Sequence, residues 1–140
     1  MKKYFPLIAI ILFSCGPKPI AKNEEFRLYE VLKVDEYSGS KVRFYEVITD
    51  SQEFRMILND PELKEKVSAK DVLTSNFILL HMGEKSTGGY RLEVESIHET
   101  DDQIIVKVKE VSPQGMATTA ITYPLTVIKI NSKKPIIFQD

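Results

Sequence analysis

Few residues in this chain have the types and spacing that chemistry needs. The most distinctive stretch is Met82-Gly83-Glu84-Lys85-Ser86-Thr87-Gly88-Gly89-Tyr90. Gly88-Gly89 allows positive φ or close backbone approach, and Ser86 and Thr87 can bond nearby backbone amides and fix a loop. Gly83-x4-Gly88 is half of a phosphate-binding loop, but Gly89 stands where that motif requires Lys and no helical pattern follows, so nucleotide binding is excluded. His81 and His98 are far apart and have no Cys beside them, so neither a metal site nor a cofactor is expected. Ser38 and Lys41 have the Ser-x-x-Lys spacing of an acylated serine and its base, but the companion motifs are absent and Ser38-Gly39-Ser40 is turn chemistry. Asp101-Asp102 pairs two carboxylates, which a hairpin tip explains. No catalytic residue is expected, and the chain is read as not an enzyme.

What remains is binding. The candidate contact residues are Lys85, Ser86, Thr87, Gly88, Gly89, Tyr90 and Tyr123. Tyr is enriched in binding hot spots, and Tyr90 and Tyr123 can frame a partner surface beside the Gly-Gly turn. Tyr90 has a second reading: it continues the inward face of Leu92 and Val94 and belongs to the core. The loop Lys85–Gly89 likewise has two readings, a contact segment or a tight turn needed for folding.

The elements that must position these residues are read from the pattern. Phe26–Asp35 and Val42–Ile48 are β-prone and joined by Tyr37-Ser38-Gly39-Ser40, which predicts a hairpin. Asp50 as N-cap with Glu53 three residues on predicts a helix start. Phe54, Ile57 and Leu58 share one helical face. Asn59-Asp60-Pro61 stops that helix and can start another, with Leu63 and Val67 on one face. Phe77–Leu80 is a continuous apolar run, the pattern of a strand covered on both faces. Tyr90, Leu92 and Val94 alternate with Arg91, Glu93 and Glu95, and Ile104, Val106 and Val108 with Lys107 and Lys109. Thr100-Asp101-Asp102 turns between these two strands, so Glu93/Glu95 and Lys107/Lys109 face each other. The alternation breaks at Ser96-Ile97 and at Glu110-Val111, which predicts a bulge on each strand. Ile121–Ile130 is a strand in which Pro124 must sit at an edge, a bend or the start. Pro135–Phe138 is a short last strand. The fold class expected is α+β, mainly antiparallel β, as a sandwich or rolled sheet with one or two short helices.

The start of the chain reads as an address. Met1-Lys2-Lys3 is a short basic region, and Tyr4–Phe13 is apolar but too short for a spanning helix, which needs roughly 20 residues. Leu12-Phe13-Ser14-Cys15 follows and resembles the lipobox of bacterial lipoproteins. The resemblance implies that residues 1–14 are a signal peptide, that Cys15 is lipidated and that the membrane is held through this lipid. Cys15 is the only Cys, so no internal disulfide is possible. Residues 15–25, with Gly-Pro-Lys-Pro, read as a flexible tether, and 26–140 as a single β-rich domain. Gly16 follows Cys15 where an Asp would signal inner-membrane retention. The expected location is therefore the bacterial cell envelope, at the outer membrane facing the periplasm.

Composition narrows the classes further. The chain has 140 residues, 43% hydrophobic and 28% charged, which fits one globular domain rather than a disordered chain. Its formal charge is −1, from 19 basic and 20 acidic residues interspersed along the chain. Nucleic-acid partners require a basic excess that is not there.

The Thr-Gly-Gly-Tyr stretch and its surroundings resemble the C-terminal domain of the PrcB family of protease-complex lipoproteins. The pieces are the apolar strand Phe77–Met82, Gly83 with Thr87-Gly88-Gly89-Tyr90, Leu92–Ile97, Ile104–Val111 with Ser112-Pro113, and Tyr123-Pro124-Leu125. The resemblance spans residues 48–131, with the helix near Ser51–Leu58 as a leader. Ser86 departs from the family's usual Pro, which leaves the loop less rigid. The resemblance implies a non-catalytic accessory or stabilising subunit with a protein partner, a protease among the possibilities. The same turn is similar to the Thr-Thr-Gly-Tyr loop of chagasin-type cysteine-protease inhibitors, which implies an alternative: an inhibitor using the Gly83–Tyr90 loop. The Trp-bearing partner loop of those inhibitors is missing, since the chain has no Trp. A structural envelope lipoprotein is the remaining alternative.

Overall fold

The computed structural model describes residues 27–139. Cys15, the signal segment, the whole tether and Phe26 lie outside the described residues. The elements are β1 (Tyr29–Asp35), β2 (Phe44–Ile48), α1 (Ser51–Asn59), β3 (Asn76–His81), β4 (Arg91–Glu99), β5 (Ile104–Val111), β6 (Leu125–Ile130) and β7 (Ile136–Gln139). A 3-10 turn, Asp71–Leu73, stands between α1 and β3.

The strands form a four-stranded antiparallel sheet, β1-β6-β3-β2, and a three-stranded one, β4-β5-β7, in which β7 runs parallel to β5. Ile78, Leu80 and Ile128 of the first sheet bury against Leu92, Ile104 and Val106 of the second. The expectation of a mainly antiparallel α+β fold holds, and the choice between sandwich and roll falls to two facing sheets. The outer face of the larger sheet carries a second core, where Phe77, Leu79 and Val127 lie under Phe54 and Ile57 of α1. The apolar run of β3 is thereby explained. Phe77 and Leu79 face the helix, Ile78 and Leu80 face the other sheet, and no side of the strand meets water. Two contacts tie the sheets at their margins: Thr126 Oγ1 donates to Leu92 O at 2.8 Å, and the rings of Tyr45 and Phe138 meet at 4.9 Å.

Local chemistry sets the helix as expected. Asp50 Oδ1 accepts the N–H groups of Gln52 and Glu53, at 2.8 and 3.0 Å. The second helix does not form. Asp60 does cap, accepting from the N–H groups of Glu62 and Leu63, and Leu63 and Val67 are buried, but the chain continues as turns. Lys33 of β1 draws this segment inward: its Nζ lies 3.0 Å from Asp60, 3.6 Å from Asp35 and 3.8 Å from Glu62.

The expected hairpin of the first two strands is also overturned. β1 and β2 are the two edges of the four-stranded sheet, with β6 and β3 between them. The segment 36–43 crosses the sheet's end instead of turning back. Gly39 N–H donates to Tyr123 O at 2.8 Å, and Tyr123 N–H to Glu36 O at 2.7 Å. As an edge strand β1 carries a register shift at Leu32 and an inward Lys33, two devices that discourage edge-to-edge pairing.

Between β4 and β5 the opposed charges meet: Lys107 reaches Glu95 at 3.2 Å and Lys109 reaches Glu93 at 3.6 Å. The bulge expected near Ser96-Ile97 is present, at Glu95. The bulge expected on β5 is absent, because Leu92 pairs with Glu110 and Arg91 with Val111 in unbroken register. Glu110 keeps the inward parity of Ile104, Val106 and Val108 and finds cations at the rim. Pro124 takes the strand-start option, immediately before β6.

Candidate functional site

The Gly83–Tyr90 loop joins β3 of one sheet to β4 of the other, so its shape sets how the sheets meet. Hydrogen bonds to the backbone of Lys85, Thr87, Gly88 and Gly89 hold it. Lys85 and Thr122 exchange N–H···O bonds, both 2.9 Å. The buried Thr122 hydroxyl donates to Thr87 O at 2.8 Å. Gly88 N–H donates to Thr118 O at 3.1 Å, and Gly89 N–H to Glu36 Oε1 at 2.6 Å.

The two glycines answer to this crowding. A Cβ on Gly88 would stand 2.5 Å from Thr118 Oγ1. Gly89 has φ +86°, and a Cβ there would meet Pro113 Cβ at 2.7 Å. The tight-turn reading of Thr-Gly-Gly thus has a physical reason. Of the candidate residues here, Ser86 and Gly89 are exposed, Lys85 and Thr87 half-buried and Gly88 buried.

Lys85 Nζ lies 3.1 Å from Glu110 and 5.0 Å from the centre of the Tyr90 ring. Arg43 takes the other oxygen of Glu110 at 2.9 Å and also donates to Tyr45 Oη at 3.1 Å. Tyr90 packs on the core between the sheets, which agrees with its core reading. Tyr123 is half-buried, and desolvation together with the Glu84 carboxylate raises its phenol above the ordinary value.

Beside the loop lies an open groove of about 590 Å³. Glu36, Gly88, Gly89 and Arg91 line one part, and residues between Val111 and Thr118 line the rest, including the fully exposed Met116. Gly88 and Gly89 belong to this groove; Lys85, Ser86, Thr87, Tyr90 and Tyr123 are not among its lining residues. Sequence reading missed Glu36, Arg91 and the 114–118 segment. A local signal was Met116, a large apolar side chain directly after Gly115 in a segment without strand or helix periodicity.

His81 is a packed residue. It stacks on Phe44 with centroids 4.4 Å apart, and its Nδ1 accepts from Ser40 N–H at 3.1 Å. Among the described residues no three His, Cys, Asp or Glu gather as metal ligands do.

A segment of 54 residues, 39% of the chain, is 32% identical to an uncharacterized protein of Methanocaldococcus jannaschii and covers 33% of that protein. The chain thus spans about a third of the length of the curated relative it matches. No solved structure gives a significant match. The family comparison is more specific, although it is shorter than the 48–131 span of the motif resemblance and leaves β2 and α1 outside. Residues 77–131, from β3 through β6 and with them both loops that line the groove, match the PrcB C-terminal family model.

Proposed function

We propose that this chain is a lipid-anchored envelope protein whose β-rich domain acts without catalysis, as an accessory or stabilising subunit that holds a protein partner, a protease complex above all. The single observation behind this reading is that the stretch matching PrcB C-terminal contains nearly all of the groove beside the Thr-Gly-Gly-Tyr loop. A loop fixed at four backbone points presents that groove with little ordering cost on binding. Lipid on Cys15 would keep the domain at the membrane, each buried CH₂ contributing about 0.8 kcal/mol. The placement at an outer membrane, facing the periplasm, rests on Gly16 after Cys15.

The inhibitor alternative has less support. Thr87 O and Gly88 N–H, which an inhibitory loop would offer to a cleft, are already bonded within the fold.

The test is affinity purification of the lipidated protein from detergent-solubilised membranes, followed by mass spectrometry. It is run beside a Gln114→Arg/Met116→Asp variant, both sites being exposed. A protease subunit recovered with the native protein and lost from the variant is the expected result. Equal recovery from both would remove the groove from the proposal, and recovery of no specific protein would remove the accessory role.

A further inference from the structure

The outer face of the four-stranded sheet is longer than the helix that covers it. α1 has nine residues, about 14 Å of helix. Phe54 and Ile57 cover the sheet near Phe77, but among the described residues no helix lies above the far end of the face. There two cross-strand rows form a floor, Phe44–His81–Leu125 and Glu46–Leu79–Val127. Met56 and Asp60 stand at one wall and Ser38 of the 36–43 crossing at another, enclosing a cavity of about 340 Å³. This lies within the usual range for small-molecule sites, roughly 300–1,000 Å³.

The lining combines an apolar floor with charge of one sign. Phe44 and Met56 are exposed although large and apolar, at 43% and 53%. Glu46 and Asp60 supply carboxylates. Asp60 already has Lys33 at 3.0 Å, whereas the cationic candidate beside Glu46 is His81, at 3.9 Å. That imidazole does not neutralise it. Ser40 N–H donates to Nδ1, so the neutral ring carries its proton on Nε2, and burial holds the imidazole's pKa below the ordinary value despite Glu46. Asp35 and Glu62, which share Lys33 with Asp60, add to the negative charge nearby.

We propose that this cavity is a binding site for a small apolar cation, a hydrocarbon body seated on Phe44, Leu79 and Met56 with an ammonium group paired to Glu46. The site is built from residues other than those of the groove and does not depend on the accessory role.

Hexylammonium, hexanol and hexanoate serve as probes, titrated into the full chain while the methyl resonances of Met56, Leu79 and Leu125 are followed. Hexylammonium should give saturable shifts at these methyls, with hexanol weaker and hexanoate weakest. Glu46→Gln should weaken hexylammonium about fivefold, the scale of a partly exposed ion pair, and leave hexanol unchanged. Met56→Trp, an exposed helix position, should close the mouth and abolish the shifts with the spectrum otherwise native. The proposal is overturned if hexylammonium and hexanoate bind alike, if Glu46→Gln has no effect, if Met56→Trp binds as the native chain does, or if no probe saturates.

Discussion

Gly89 and Gly115 share a backbone conformation and differ in surroundings, so they separate the two costs of a side chain in the loop. Their φ angles are +86° and +85°. An added Cβ at Gly115 meets nothing within 4 Å, whereas at Gly89 it meets Pro113 Cβ at 2.7 Å. An L-residue in the left-handed region costs roughly 1–2 kcal/mol. Alanine also removes unfolded-chain freedom, worth about 0.4–1 kcal/mol in the opposite direction, and this applies to both sites alike. Gly115→Ala should therefore lose about 1 kcal/mol. Gly89→Ala bears the further cost of an overpacked contact, roughly 1–3 kcal/mol, because the opposing atom belongs to a proline ring that cannot rotate away. Urea unfolding followed by circular dichroism, extrapolated to water, reads both losses. The difference between them is the clash alone. Combining Gly89→Ala with Pro113→Gly should return part of it as a coupling energy. Equal losses at the two sites, or no coupling, would refute the claim that close packing against Pro113 demands glycine in this turn.

Other outcomes follow from single contacts. Thr122→Val leaves Thr87 O without its 2.8 Å donor and should cost about 1–3 kcal/mol in the same unfolding experiment. Glu110→Ala frees Lys85 and Arg43 at a half-exposed site; the loss should stay below about 1 kcal/mol, with faster amide exchange confined to the Gly83–Tyr90 loop. Lys33→Met should cost about 1–3 kcal/mol near neutral pH, less than a fully buried pair because water still reaches Asp60. The pH dependence has a defined sign. Burial works against the charge of Asp60, but Lys33 and the N–H groups of Glu62 and Leu63 outweigh it and lower its pKa from 3.8. Its contribution is complete above that value and is lost as pH falls through the lower folded value. Burial likewise opposes the Lys33 charge, and Asp60, Glu62 and Asp35 outweigh it and raise its pKa from 10.5. That contribution is complete below 10.5 and is lost as pH climbs through the raised value. Urea midpoints across pH should fall at both ends, and Lys33→Met should flatten both arms.

Local chemistry made several elements legible in the chain itself. The Asp50 cap, the apolar run of β3, the alternation of β4 and β5 and the turn at Thr100–Asp102 each depend on neighbours a few residues away, and each stands in the structure as read. The Thr-Gly-Gly-Tyr stretch was legible as a special turn for the same reason, since few residues besides glycine tolerate such backbone. What local pattern could not supply was the partner of each strand. Tyr37–Ser40 has the composition of a hairpin turn, yet β6, far along the chain, occupies the place beside β1 and sends β2 to the opposite edge. Glu110 broke the alternation only in residue type, because cations from Arg43 and Lys85 meet it at the rim. The groove joins Glu36, Gly88 and Met116, and the acidic cavity joins Ser38, Met56 and Leu125. The sequence alone determined which segments are strands, which face of each is apolar and where the chain must turn. The tertiary structure alone decided which strands pair and which distant side chains share a cleft, because pairing is settled by burying all the apolar faces at once.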